Sequence, residues 1–229
     1  MTNNAVVLLS SGMDSVVAFK KAFDEFDELL CLTFDYGQRA CMHELKYSTK
    51  IAAHYGVSQQ VIKLPWLAEF GSALTATNRK IPTINSVDEL DSSSIIFKTA
   101  EAVWVPARNM VFLSIAASFA ENYGCGTIVT GFDYEEAFTF PDNSTRFVEL
   151  FNKVLEYGTL NHPVVYAPLQ SFSKVEIVQL GMSIDAPFQW SWSCYNEQAM
   201  PCGVCESCMR RKRAFDEAGF PDPFTALQD

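Results

Sequence analysis

Four of the seven cysteines crowd into the last part of the chain, as Cys194 and then Cys202-Gly203-Val204-Cys205-Glu206-Ser207-Cys208. Four thiolates at this range make a closed tetrahedral site, for which Zn²⁺ is the usual occupant. A C-x2-C-x2-C run with one remote Cys also suits an iron–sulfur cluster, so spacing alone leaves both open. Most closed sites of this kind fold a segment rather than react, and the expected role is to knit the tail onto the main body. Gly203 eases the turn between ligands. Arg210, Arg211, Lys212 and Arg213 follow directly. They would lower the thiol pKa values, or they form a solvated helix end. The odd cysteine total, with Cys31, Cys41 and Cys125 scattered in apolar surroundings, argues against a disulfide framework.

A second constellation lies near the start. The apolar run Ala5-Val6-Val7-Leu8-Leu9 leads into Ser10-Ser11-Gly12-Met13-Asp14-Ser15 and then a helical stretch to about Phe23. The N–H groups at a helix N-terminus are unpaired and carry partial positive charge. Gly12 would let backbone approach an anion, and Ser10, Ser11 and Ser15 add hydroxyl donors. Asp14 has the wrong sign to touch phosphate; it suits Mg²⁺ bound to phosphate, or the first turn of a helix. No Gly-Lys-Ser/Thr follows, so this is not a Walker loop. Gly124 and Gly126 precede a strand and do not make a dinucleotide fingerprint. An ordinary strand-to-helix turn with serine caps is the alternative.

Other reactive types offer less. His43, His54 and His162 show no metal spacing, and His54, near a helix end, is expected on the surface. Trp190 and Trp192 flank the cysteines and read as packing residues rather than a base-stacking wall.

The elements that must position these groups alternate. Leu29–Phe34 and Val61–Leu64 read as strands, with a helix from about Met42 to Tyr55 stopped by Gly56. Pro65–Ala100 has weak periodicity and reads as an excursion. An apolar helix follows Pro106-Ala107-Arg108-Asn109, then a strand Thr127–Thr130 ending at Gly131, and a loop with Asp133, Glu135, Glu136 and Pro141-Asp142. Phe147, Leu150, Phe151, Val154 and Leu155 mark an amphipathic helix. Pro163–Tyr166 is a short strand, and Ser173-Lys174-Val175-Glu176 is a capping box whose helix closes at Gly181. This order predicts an α/β fold, a doubly wound parallel sheet with helices on both faces. The predicted organisation is one α/β domain over 1–189 and a small cysteine lobe over 190–229 packed on it.

Composition limits the rest. The chain has 229 residues, 48% of them hydrophobic, enough for a core. Its net charge of −10 disfavours phosphate backbones and anionic lipids, so stable nucleic-acid binding is not expected. The longest apolar run, about Met110 to Ala120, falls short of the ~20 residues needed to span a bilayer. The start, Met1-Thr2-Asn3-Asn4, lacks a signal-peptide pattern. A cytoplasmic protein is expected.

Five segments together resemble the 7-cyano-7-deazaguanine synthases, members of the PP-loop ATP pyrophosphatase group with an adenine-nucleotide-hydrolase-like, Rossmann-like fold. They are Ser10–Ser15, Phe34-Asp35-Tyr36-Gly37-Gln38, Val105–Asn109, Ser173–Ile177, and Ser191 through Cys208. The resemblance implies a ligase that takes 7-carboxy-7-deazaguanine, ATP and ammonia to the nitrile, in queuosine biosynthesis. It would adenylate the carboxylate, form the amide, adenylate again and eliminate. Leu9, Ser10, Ser11, Gly12, Met13, Asp14, Ser15 and Val16 would hold ATP with Mg²⁺. Asp14, Lys174 and Arg108 would be catalytic, with Lys174 the cation on departing pyrophosphate. Cys194, Cys202, Cys205 and Cys208 would bind Zn²⁺. Taken alone, Lys174 reads equally as an exposed first-turn lysine and Asn109 as a helix cap. The family suggests a homodimer, and Phe220–Phe224 offer apolar residues for one.

Two departures stand out. The family usually has Gly at the place of Ser11, so the backbone there is expected to avoid a glycine-only conformation. Where many members carry Tyr-Pro-Asp-Cys-Arg, this chain has Phe140-Pro141-Asp142-Asn143-Ser144, in a loop expected to meet the deazapurine. Two other readings therefore stay open. One is the same adenylating chemistry on another carboxylate, amide or tRNA base. The other is a zinc-held nucleotide-binding module without catalysis.

Overall fold

The computed structural model describes residues 3–226. The strands are β1 (Asn4–Leu8), β2 (Glu28–Asp35), β3 (Ser58–Lys63), β4 (Thr127–Val129) and β5 (Val164–Tyr166). They form one parallel sheet in the order β3-β2-β1-β4-β5. The helices that serve the site are α1 (Met13–Glu25), α2 (Cys41–Tyr55), α3 (Ser93–Val103), α4 (Arg108–Tyr123), α5 (Tyr134–Ala137), α6 (Thr145–Gly158), α7 (Lys174–Ser183), α8 (Glu206–Ala218) and α9 (Pro223–Ala226).

Strand β1 explains the layering. Its residues alternate in direction, and both directions are buried. Val6 joins a core with Leu113 and Ala116 of α4 and Phe151 and Leu155 of α6. Ala5, Val7 and Leu9 join a second core with Val16 and Phe19 of α1, Ile177 and Val178 of α7 and Phe215 of α8. From β1 the sheet grows one way to β2 and β3 and the other way to β4 and β5. That reversal leaves a crevice at the carboxyl ends of β1 and β4, where open α/β sheets take ligands.

Several local expectations change. β3 begins at Ser58 rather than Val61, because Gln59 turns its amide inward to Thr33 and Ser48, at 2.8 and 2.9 Å. The Pro65–Ala100 stretch contains most of α3, which buries Ile96, Ala100 and Val103 at helical spacing. Gly181 does not close α7. It lies inside the helix, where a Cβ would meet the Phe188 ring at 2.3 Å, so it is a packing glycine. Phe224 is not a surface residue: it packs against Trp192 and Tyr47.

The cysteine segment lies on the same body. Ile84 N–H donates to the Val204 carbonyl at 2.7 Å, Thr83 bridges Cys205, and α8 packs along α7. Among the described residues no single helix is long and apolar enough to cross a membrane. Together α3 and α4 have that length, but they are bent by 54°.

Candidate active site

A cavity of about 260 Å³ opens at the crevice between β1 and β4. Leu9, Ser10, Gly12, Met13, Asp14 and Ser15 line it. Val16 does not; it is fully buried in the core behind. Ser11 also faces away, and its backbone differs from expectation. Its φ of 66° is in the left-handed region that glycine prefers and that costs another residue about 1–2 kcal/mol. The Trp192 N–H donates to the Ser11 carbonyl at 2.8 Å and helps hold that turn.

The loop is held by its own serines. Ser10 Oγ accepts from Gly12 N–H at 3.2 Å and lies 3.1 Å from Ser15 Oγ, which donates to the Gly12 carbonyl. Gly12 caps α1 without any side-chain bond, so no capping side chain takes up the first N–H donors of α1. Gly131, after β4, lets that strand's loop press against this turn: a Cβ there would lie 2.8 Å from Ser15 N.

Lys174 is buried, not an exposed helix lysine. Its Nζ lies 2.8 Å from Asp14 Oδ2, 3.0 Å from Asp133 Oδ2 and 3.0 Å from Glu136 Oε1. The capping box on Ser173 and Glu176 starts α7 as expected. Lys174 N–H also donates to Glu135 at 2.7 Å, which fixes where the side chain enters. Burial opposes the Lys174 charge, but the three carboxylates overcome it and hold the amine well above its ordinary pKa. Burial pushes Asp133 up to about 7 despite Lys174, and it raises Asp14. For Glu136 burial also acts upward, yet Lys174 and Arg210 bring it below the ordinary value.

In the sequence Asp133 and Glu136 read as loop residues without a role. Their signal was an acidic cluster directly after the glycine that ends β4. Asp133 Oδ1 accepts from the N–H groups of Glu135 and Glu136, which shapes α5 and aims Glu136 at Lys174. Asp14, Asp133 and Glu136 bring carboxylate oxygens within 4.8 Å of one another, and Asp14 Oδ1 is buried without a partner. Hard oxygen donors with a spare lone pair fit Mg²⁺.

Arg108 lines the cavity and donates to Tyr36 hydroxyl at 3.1 Å. Asn109 is not the cap of α4. That position belongs to Ala107, at φ 54°, and the Asn109 amide instead reaches the Asp142 carbonyl. Apolar walls come from Leu32, Phe34, Val105 and Phe112, with the Phe34 and Phe112 rings stacked at 3.9 Å. The same cavity reaches Phe140, Asp142, Tyr195 and Glu206.

The four expected metal cysteines meet at one point, their sulfurs within 4.8 Å of one another. Backbone N–H groups of Asn196 and Cys202 point at Cys194 Sγ, and that of Cys205 at Cys202 Sγ. Hydrogen bonds from Cys205 and Cys208 draw the Cys194 thiol down to about 2, while the same contacts drive Cys205 up. Sulfurs so close share protons badly, and a soft-ligand metal resolves this. The basic run has other work than offsetting thiolates. Arg210 pairs with Glu206 and Glu135, Arg211 clasps Asp222 and Ser191, and Arg213 reaches Asp91. Trp192 is a packing residue, stacked on His43 at 3.7 Å.

A parallel sheet whose crevice gathers a helix start, a buried lysine among carboxylates and an apolar slot defines the class as an α/β enzyme. The chain matches the family described as "Queuosine biosynthesis protein QueC" over residues 4–219, and it belongs to that family. The 7-cyano-7-deazaguanine synthase of Methanosarcina mazei is 46% identical over 222 residues, covering 96% of each chain. That of Methanothermobacter thermautotrophicus is 45% identical over 219 residues, covering 96% of this chain and 97% of the relative. Among solved structures, the NMN synthetase of Francisella tularensis shares the fold. Its TM-score is 0.51 at 13% identity, covering 99% of this chain and 82% of that one.

Proposed function

We propose that this protein is itself a 7-cyano-7-deazaguanine synthase, converting 7-carboxy-7-deazaguanine and ammonia to the nitrile at the expense of ATP. The observation that carries this is likeness to such synthases from end to end, at 46% identity over 96% of the chain.

A carboxylate is a poor acyl donor until one oxygen becomes part of a good leaving group. Attack of that oxygen on the α-phosphorus of ATP expels pyrophosphate and gives an acyl adenylate. Ammonia adds, AMP leaves, and a proton is lost to give the amide. The amide oxygen then attacks a second ATP, again expelling pyrophosphate. Loss of AMP and of the remaining N–H protons gives the nitrile. Each oxygen removed departs on one AMP. In this reading the uncapped N–H groups of α1 and the Ser10 and Ser15 hydroxyls hold the phosphates. Lys174, kept charged by its carboxylates, balances charge developing on pyrophosphate. Arg108 orients the nucleotide or substrate beside Tyr36. Asp14 and Glu136 would hold Mg²⁺, which supplies Lewis-acid charge to the phosphates. Cys194, Cys202, Cys205 and Cys208 would hold Zn²⁺ and keep the tail in place.

We also place the protein in the cytoplasm, where four thiolates stay reduced, and as a homodimer. The exposed Leu150, Val154 and Tyr157 of α6, with Leu160 just past its end, offer a pairing face. The Phe140–Ser144 departure supports one competing reading, a related carboxylate as substrate, since Phe140 and Asp142 line the cavity.

Mass spectrometry of a reaction holding ATP, ammonium and 7-carboxy-7-deazaguanine tests the proposal. We expect nitrile, with AMP and pyrophosphate that appear only when both other substrates are present. A metal-loaded preparation that releases no AMP with this base would reject it.

A further inference from the structure

The wall of the cavity formed by the start of α8 holds a carboxylate that is only half used. Glu206 is 3% exposed and lines the cavity. Arg210 places both Nε, at 2.9 Å, and Nη2, at 2.8 Å, on the same oxygen, Oε1. The other oxygen, Oε2, is buried and has no partner. A buried carboxylate oxygen without a donor is costly, and such atoms mark places where a donor arrives from outside.

Asp142 also leaves an oxygen, Oδ1, without a partner on the cavity wall. Its carboxyl is raised above the ordinary value by burial, against the Arg108 charge, and no arginine fork holds its other oxygen among the described contacts. Asp14 belongs to the lysine cluster. Glu206 differs from both in that one arginine fork fixes its other oxygen, so the free Oε2 is held in a set direction.

The donor that fits is a guanine edge. A guanine-type base presents N1–H and the 2-amino group side by side, whereas adenine has a lone pair at N1. An ionised carboxylate only accepts. It pairs with the guanine edge and repels adenine N1, which matters in a cleft that must also admit ATP. We propose that Glu206 is the specificity residue for the deazaguanine ring, accepting N1–H and the 2-amino group, with Arg210 holding its other oxygen. This assignment rests on the synthase reading above.

The test compares 7-carboxy-7-deazaguanine with its analogue lacking the 2-amino group, in the native protein and in Glu206→Gln. In the native protein the analogue should bind on the order of tenfold to a hundredfold more weakly, as expected for loss of a paired base contact. In Glu206→Gln that ratio should shrink toward one, with KM for the guanine base raised and KM for ATP and the zinc content unchanged. Glu206→Gln keeping the native ratio would assign Glu206 only to anchoring Arg210 and would overturn the inference. Calorimetry on the native protein alone decides the matter should the variant fail to fold: equal affinity for the two bases overturns the inference. If the native protein releases no AMP with the guanine base, the synthase reading itself has failed. Turnover with an unchanged base ratio in the variant sinks only the Glu206 assignment.

Discussion

The end of the cleft at the turn after β1 rests on the sheet, while the tail end is built around four sulfurs. At the first, Leu9 and Val16 belong to a core built from β1, β2, α1 and α7, so the loop between them inherits its position from packing. At the second, the apolar cluster around the cysteines is small: Ala40, Trp192 and Phe224 beside Cys194, Cys205 and Cys208. So small a cluster cannot hold irregular chain in place unaided, and in the proposed reading a metal, with ion pairs, supplies the rest. The contrast teaches that one cleft is assembled from two kinds of rigidity. Damage at each end should look different.

The largest effect is expected at the tail. Cys205→Ala should lose zinc and solubility together, read by metal analysis and the yield of soluble protein. A folded, active variant would show that the tail stands without metal and would dissolve the contrast.

Next comes the lysine cluster. Lys174→Met removes the one amine that Asp14, Asp133 and Glu136 all touch. Breaking a buried pair costs about 3–5 kcal/mol. Denaturant melts should show a loss of that size, AMP release should vanish, and zinc content should not change. Zinc loss in this variant would mean that the two ends are not separate.

A smaller effect depends on pH. Burial raises Glu44, on the cavity wall, from 4.5 to about 7. The folded chain then holds that proton more tightly than the unfolded chain. Stability therefore falls as pH rises through the interval between those values, and the fall is complete above the folded one. Glu44→Gln should flatten this fall, a difference of at most about 3 kcal/mol. Parallel melts at the two sides of the interval measure it, and equal slopes in both proteins would refute it.

The smallest effect sharpens the account of the loop. Ser11→Gly relieves a positive φ but adds freedom to the unfolded chain. The melting midpoint should rise slightly, by less than about 1 kcal/mol in stability. A clear loss would mean that the Ser11 side chain holds the turn.

What could be read from sequence follows the range over which each feature acts. The strand–loop–helix at the start, the capping box at Ser173 and the cysteine spacing are local, and their residue types speak for themselves. The lysine cluster is not local. Asp133 and Glu136 stand more than a hundred residues from Asp14, and only the β1–β4 pairing brings them together. Gly131 read as a strand end, yet its value lies in contact with Ser15 across the crevice. Helix α3 hid in a stretch of Ser and Thr because its apolar stripe is short. The arginines after Cys208 read as a charge run, since their acidic partners come from three separate segments.

In the proposed reading the turn after β1 grips the phosphates of ATP. Calorimetry with a non-hydrolysable ATP analogue and Mg²⁺, on the native protein and Asp14→Ala, tests it most directly. The account predicts saturable binding by the native chain and binding at least about tenfold weaker in the variant, a difference of ~1.4 kcal/mol. Equal affinity in the two proteins would contradict it.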